Sequence, residues 1–153
     1  MRITTRVLLL ALALLSGFAR FSNAQEISLA CLGGEHLSEG DMAHGTHIVV
    51  IWASWSPHSR DIVQRVNPIA SRWSGSARVT TVNFQEERKA VEGFLAGKSL
   101  AAPVCLDSEG LFSRKYSVAN LPGLLVVKEG QVLFHGKLPD DPDRVIAELL
   151  HAG

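Results

Sequence analysis

Cysteine is scarce in this sequence: 153 residues hold only Cys31 and Cys105. One intramolecular disulfide is the most the chain can form, which excludes a densely cross-linked scaffold. Positive charge is not in excess either. The 15 basic residues balance 15 acidic ones, so there is no electrostatic footprint for a phosphate backbone, and nucleic acid is not expected as a partner. No apolar run reaches the roughly 20 residues that span a bilayer; the longest, Val7 to Leu15, falls well short. Repeats, low-complexity tracts and internal linkers are missing too. What remains, 46% hydrophobic and 20% charged residues, is the composition of a globular domain.

The start of the chain reads as a secretory signal. Arg2 and Arg6 make a positive leading region, Val7 to Leu15 the apolar region, and Ser22-Asn23-Ala24 a small-x-small cleavage site. The expected division is therefore a signal peptide over 1–24 and one domain over 25–153. Without Arg2, Arg6 and Arg20 the basic residues number 12 against 15 acidic, a net charge of −3. Export to a bacterial periplasm or cell envelope follows as the expectation, with no stable membrane span after cleavage. A lipid-modified Cys31 is not expected, because Ser28 stands where an acylation signal has leucine. In an exported protein the two cysteines meet an oxidising compartment. Three readings of them stay open: a structural disulfide, two buried inert thiols, or a relocated redox pair.

Hydrophobic patterning predicts an α/β domain. His47 to Ala53 is a continuous β-branched run, as expected of a strand buried on both faces. Ser56 to Trp73 has helical spacing, with Ile62, Val63, Val66, Ile69, Ala70 and Trp73 on one stripe. Ser56 is suited to its N-cap, Pro57 to its first position, and Pro68 is expected to kink or divide it. Arg78 to Phe84 reads as a strand, Glu86 to Ala96 as a helix, Ala102 to Leu106 as a short apolar segment and Glu109 to Tyr116 as a short helix. Gly123 to Lys128 and Gln131 to His135 read as a hairpin turning at Glu129-Gly130, and Asp143 to His151 as a closing helix. Alternation followed by a hairpin gives a mixed sheet with helices on both faces. Before Gly45, one or two short elements at most are expected.

Three segments carry a resemblance. Trp52-Ala53-Ser54-Trp55-Ser56-Pro57-His58-Ser59 resembles the W-A-x-W-C-x-x-C segment of thioredoxin-like proteins, with serine at both cysteine positions. Leu121-Pro122-Gly123 and the strand after it resemble that fold's proline-and-hairpin segment. Ala102-Pro103-Val104-Cys105-Leu106-Asp107, followed by Tyr116-Ser117-Val118, resembles the strand–helix insert of the TlpA/ResA branch, envelope proteins of disulfide handling and cytochrome maturation. The resemblance implies a thioredoxin fold with that insert. It also implies a cis peptide before Pro122, and a cleft between Trp55-Ser56 and Leu121-Pro122 where the backbone at Leu121 can pair with an extended segment.

The departures bear on chemistry. In the family the first cysteine is a thiolate stabilised at a helix start; the hydroxyl of Ser56 does not ionise usefully or form a mixed disulfide. Ser59 takes the resolving position, and Val50 stands where plain thioredoxins carry a buried acid. No catalytic residue is intact at Ser56, Pro57, His58 and Ser59. A serine nucleophile with His58 as base is not supported, since residues two apart at a helix start do not face each other. His36, His44 and His47 with Cys31 resemble a loose ligand cluster, equally compatible with a solvated turn, and no metal or cofactor is predicted. Trp52, Trp55 and Trp73 suit core and cleft packing. The expected function is non-catalytic: binding an envelope protein or peptide in thiol–disulfide processes. The alternative is a thiol–disulfide oxidoreductase, working through Cys31 and Cys105 or in a form of the chain with cysteines at 56 and 59.

Overall fold

The computed structural model describes residues 25–152, so the predicted signal segment, 1–24, lies outside the described residues. The elements in order are β1 (Ser28–Ala30), β2 (His36–Ser38), α1 (Glu39–Met42), β3 (Thr46–Trp52), α2 (Ile62–Trp73), β4 (Arg78–Phe84), α3 (Arg88–Leu95), β5 (Val104–Asp107), α4 (Leu111–Lys115), β6 (Gly123–Lys128), β7 (Gln131–Lys137) and α5 (Pro142–His151). Five strands form one mixed sheet in the order β5-β4-β3-β6-β7. β3 runs parallel to β4 and antiparallel to β6, so the most apolar strand lies at the centre. No helix among the described residues is long and apolar enough to cross a membrane.

Strand alternation sorts the core into two layers. Ile48, Val50 and Trp52 face α2, α3 and α5, packing against Ile62, Val66, Ile69, Val91 and Ile146. Val49 and Ile51 face the opposite way, onto Leu37, Met42, Phe112 and Val118. Each such side chain, fully withdrawn from water, stabilises by about 1.5–3 kcal/mol. That is why a seven-residue strand with six buried positions anchors the fold.

Two regions differ from the sequence expectation. Before Gly45 there are three elements, not one or two: β1 and β2 form an antiparallel hairpin, and α1 follows. Ser38 and Asp41 form a capping box on α1, and the Ser38 N–H and hydroxyl hold the Asp41 carboxyl below its usual range. The second region is α2, which begins at Ile62 and continues through Pro68 undivided. Pro68 and Gln64 lie on the exposed side, so water can solvate the carbonyl that loses its partner, while the buried stripe opposite holds the helix together.

Candidate functional site

The segment after β3 leaves the sheet at the carboxyl end of two parallel strands, where ligands of α/β sheets gather. Pro57–Ser59 forms a single 3-10 turn before α2. Ser56 does not cap that turn through its side chain; its hydroxyl instead donates to the Leu121 carbonyl oxygen at 3.3 Å, across the cleft. The Leu121–Pro122 peptide is cis. Ser56 is nearly buried and Ser59 wholly so, whereas Pro57 and His58 are exposed. Val50 is buried among apolar neighbours, so no acid stands beneath the motif at that position.

The structure brings Trp55, Ser56, Leu121 and Pro122 together. Trp55 is 60% exposed, the most exposed of the large apolar side chains among the described residues, while Trp52 and Trp73 are buried. Trp55 and Leu121 border a cavity of about 450 Å³ with Phe84 and Val118 on its walls. On the other flank of Leu121 and Pro122 lies a more polar cavity of about 580 Å³, bordered by His58, Arg60, Lys137 and Asp140. Among the described residues the Leu121 N–H has no hydrogen-bond acceptor, which leaves it available to an added strand.

One functional candidate was missed by sequence reasoning. Glu86 lies beneath the motif loop and accepts hydrogen bonds from the Ser54 N–H at 2.7 Å, from the Ser54 hydroxyl and from the Asn83 amide at 2.6 Å. It is the carboxylate that fixes the approach to Trp55. The available signal was its place just past the end of β4, beside the end of β3.

Cys31 and Cys105 are joined in a disulfide far from the serines in sequence. Cys31 is 1% exposed and Cys105 0%, so neither sulfur is presented to an incoming thiolate. Around them the hairpin is further tied down by the Leu32 N–H on the Val104 carbonyl at 2.8 Å. His36, His44 and His47 do not converge with Cys31. Among the described residues no three His, Cys, Asp or Glu side chains form a group fit for a metal. The buried His47 ring instead meets the His44 carbonyl through Nε2 at 2.9 Å.

Known proteins share this architecture. The sporulation thiol-disulfide oxidoreductase A of Bacillus subtilis is 25% identical over 142 residues, covering 83% of this chain and 86% of its own length. The crystal structure of StoA from the same organism superposes with a TM-score of 0.60 at 23% identity, covering 72% of this chain and 85% of that one. The exposed lipoprotein thioredoxin Etrx1 of Streptococcus pneumoniae superposes at 0.71 with 17% identity, covering 82% and 98%. These likenesses make the fold thioredoxin-like. The sequence pattern of the Redoxin family matches residues 21–150, most of the length, and the chain belongs to that family.

Proposed function

We propose that this chain is an exported, non-catalytic member of its family. It holds an extended segment of an envelope protein in the cleft between Trp55-Ser56 and Leu121-Pro122, as an accessory or decoy in thiol–disulfide processes. The observation that carries the reading is the pairing of Ser56 with Leu121. The hydroxyl occupies the thiol position and reaches across the cleft floor, while Trp55 beside it stays exposed. A hydroxyl has no access to the thiolate exchange that drives redox turnover, but the unpaired Leu121 N–H and the apolar wall beside it suit strand addition. Two assays test this together. Insulin-disulfide reduction is expected to show no turnover, and a photo-crosslinker at Leu121 is expected to trap a protein partner that the same chain carrying Trp55→Ala fails to capture. Turnover by the chain as it stands would defeat the non-catalytic reading.

The relative named sporulation thiol-disulfide oxidoreductase A favours a second reading, in which the chain shares that activity. It requires either that Cys31 and Cys105 cycle or that a form of the chain carries cysteines at 56 and 59. The burial of both sulfurs weighs against cycling without local opening. Thiol counts on the folded protein in graded redox buffers test it, since a labile pair appears as free thiols before the protein unfolds.

A further inference from the structure

The cavities on the two flanks of Leu121 differ in chemistry. On one flank, Trp55, Phe84, Val118 and Leu121 wall the cavity of about 450 Å³, and Arg114 is the charged residue at its border. Arg114 is exposed, and its guanidinium donates to the Glu109 carbonyl at 2.8 Å, which holds the group in place and leaves other N–H donors unspent. On the other flank, His58, Arg60, Arg65 and Lys137 border the cavity of about 580 Å³ together with Asp61 and Asp140. Arg65 is spent on the Leu138 and Pro139 carbonyls, at 3.3 and 3.0 Å. Arg60, Arg114 and Lys137 are exposed, and none of them belongs to an ion pair among the described residues.

Cations therefore outnumber carboxylates around the cleft, although residues 25–153 as a whole carry a net charge of −3. Glu86, the acid beneath the motif loop, is already engaged by Ser54 and Asn83. A positive site on a negative chain is a local property, and it draws anionic partners to that place. Leu121 and Pro122 lie between Arg114 and the other cations, so these groups do not form the continuous basic stripe that a phosphate backbone needs. The apolar wall is unpartnered as well: Trp55 and Phe84 take no part in the aromatic pairs of the described residues.

We propose, resting on the cleft reading above, that the segment held at Leu121 is acidic and built around an aromatic residue. The aromatic side chain enters the cavity beside Trp55 and Phe84. Carboxylates of the same segment meet Arg114 on one flank and Arg60 and Lys137 on the other. Leu121 borders both cavities, so a strand paired at its N–H passes between them. Successive side chains of such a strand alternate, and different residues are offered to each cavity. An aromatic ring brings a large apolar contact at little cost in rotamer freedom, and the 450 Å³ cavity falls in the range of roughly 300–1,000 Å³ that holds small ligands. A basic segment would set like charges against Arg60, Arg114 and Lys137 and is rejected.

Fluorescence anisotropy of labelled peptides on the purified protein tests this. The first peptide carries one phenylalanine among alternating threonine and glutamate. The second has lysine for each glutamate, and the third has alanine for the phenylalanine. The first is expected to bind, and more weakly as salt rises. Either exchange in the peptide is expected to raise Kd by about tenfold or more. Arg114→Glu and Lys137→Glu lie at exposed positions, and circular dichroism checks that each variant folds. Each is expected to weaken the acidic peptide by about threefold or more, and together they should make the lysine peptide the better ligand. Binding that Trp55→Ala abolishes, but that treats the glutamate and lysine peptides alike, keeps the cleft reading and overturns the acidic preference. A double reversal that still prefers glutamate overturns that preference too, and equal binding of the alanine peptide overturns the aromatic anchor. If no peptide binds, or if binding is indifferent to Trp55→Ala, the cleft reading fails and the inference built on it fails as well.

Discussion

Cys31 and Cys105 stand opposite one another in an antiparallel bridge, bonded through sulfur although 74 positions apart. The bond ties the N-terminal hairpin to the edge strand β5, and on the chain-entropy estimate a loop of this length stabilises by about 4–5 kcal/mol. Replacing both cysteines with alanine is expected to lower the denaturant midpoint by the equivalent of about 4 kcal/mol, less any gain from relaxing the site. The measurement is urea unfolding followed by far-UV circular dichroism. An unchanged midpoint would mean that the buried apolar contacts of Leu29, Leu37 and Met42 fix the hairpin without help from the bond.

Ser56 and Ser59 define the second prediction. Cysteine is close to serine in size, so Ser56→Cys with Ser59→Cys places two sulfurs in the 3-10 turn before α2 with little packing cost. The double variant is expected to form a second disulfide under oxidation and to reduce insulin. Ser56→Cys alone is expected to trap mixed disulfides, while the buried Ser59→Cys alone stays silent. A folded double variant with two titratable thiols and no turnover would show that the scaffold has lost more than sulfur.

How far the sequence spoke depended on how local each signal was. β3 was legible because an unbroken β-branched run has few other uses, and β6–β7 because Glu129-Gly130 is a turn with a mechanism; both turn residues adopt positive φ. The serines at 56 and 59 were legible as departures from a motif. The hairpin before Gly45 was not. Three-residue strands carry too little periodicity, and β1–β2 is held by distant partners such as Arg78 on the His36 carbonyl at 2.8 Å. Ser56 does take the N-cap position, of the 3-10 turn and not of α2, but the local N-cap preference gave no sign that its hydroxyl would turn to Leu121, 65 positions away. Glu86 escaped for the same reason: its role depends on two parallel strands ending side by side.

Glu86 carries the third prediction. Glu86→Ala leaves the Ser54 N–H, the Ser54 hydroxyl and the Asn83 amide without their acceptor. The residue is half-buried, so water replaces part of the loss, and a destabilisation of about 1–2 kcal/mol is expected. Glu86→Gln keeps one acceptor and should lose less. Hydrogen exchange at the Ser54 amide is the sharper readout. It should quicken in the alanine variant well before global unfolding, and an unchanged rate would show that the loop is held from elsewhere.

Tyr116 is the chain's one tyrosine, which makes its titration readable without assignment. Its ring packs at a tilt of 49° against Phe112, with ring centroids 4.8 Å apart. Burial, and secondarily the Glu39 carboxylate, push its phenol above the ordinary value of 10.0. The raised value in the folded state means that folding favours the neutral phenol. That contribution to stability is fully present below pH 10.0, the ordinary value, and is lost as pH rises through the folded value. Tyrosinate absorbance during a base titration should therefore have its midpoint above that of the unfolded chain. Glu39→Gln should bring the midpoint part of the way down, because it removes the lesser cause and leaves burial in place; it also removes the charged partner of Lys115, a half-buried contact on the Glu39 side. Tyr116→Phe should flatten this part of the alkaline stability loss. A midpoint equal to that of the unfolded chain would mean that the phenol is solvated in the folded state and that the Phe112 contact does not bury it.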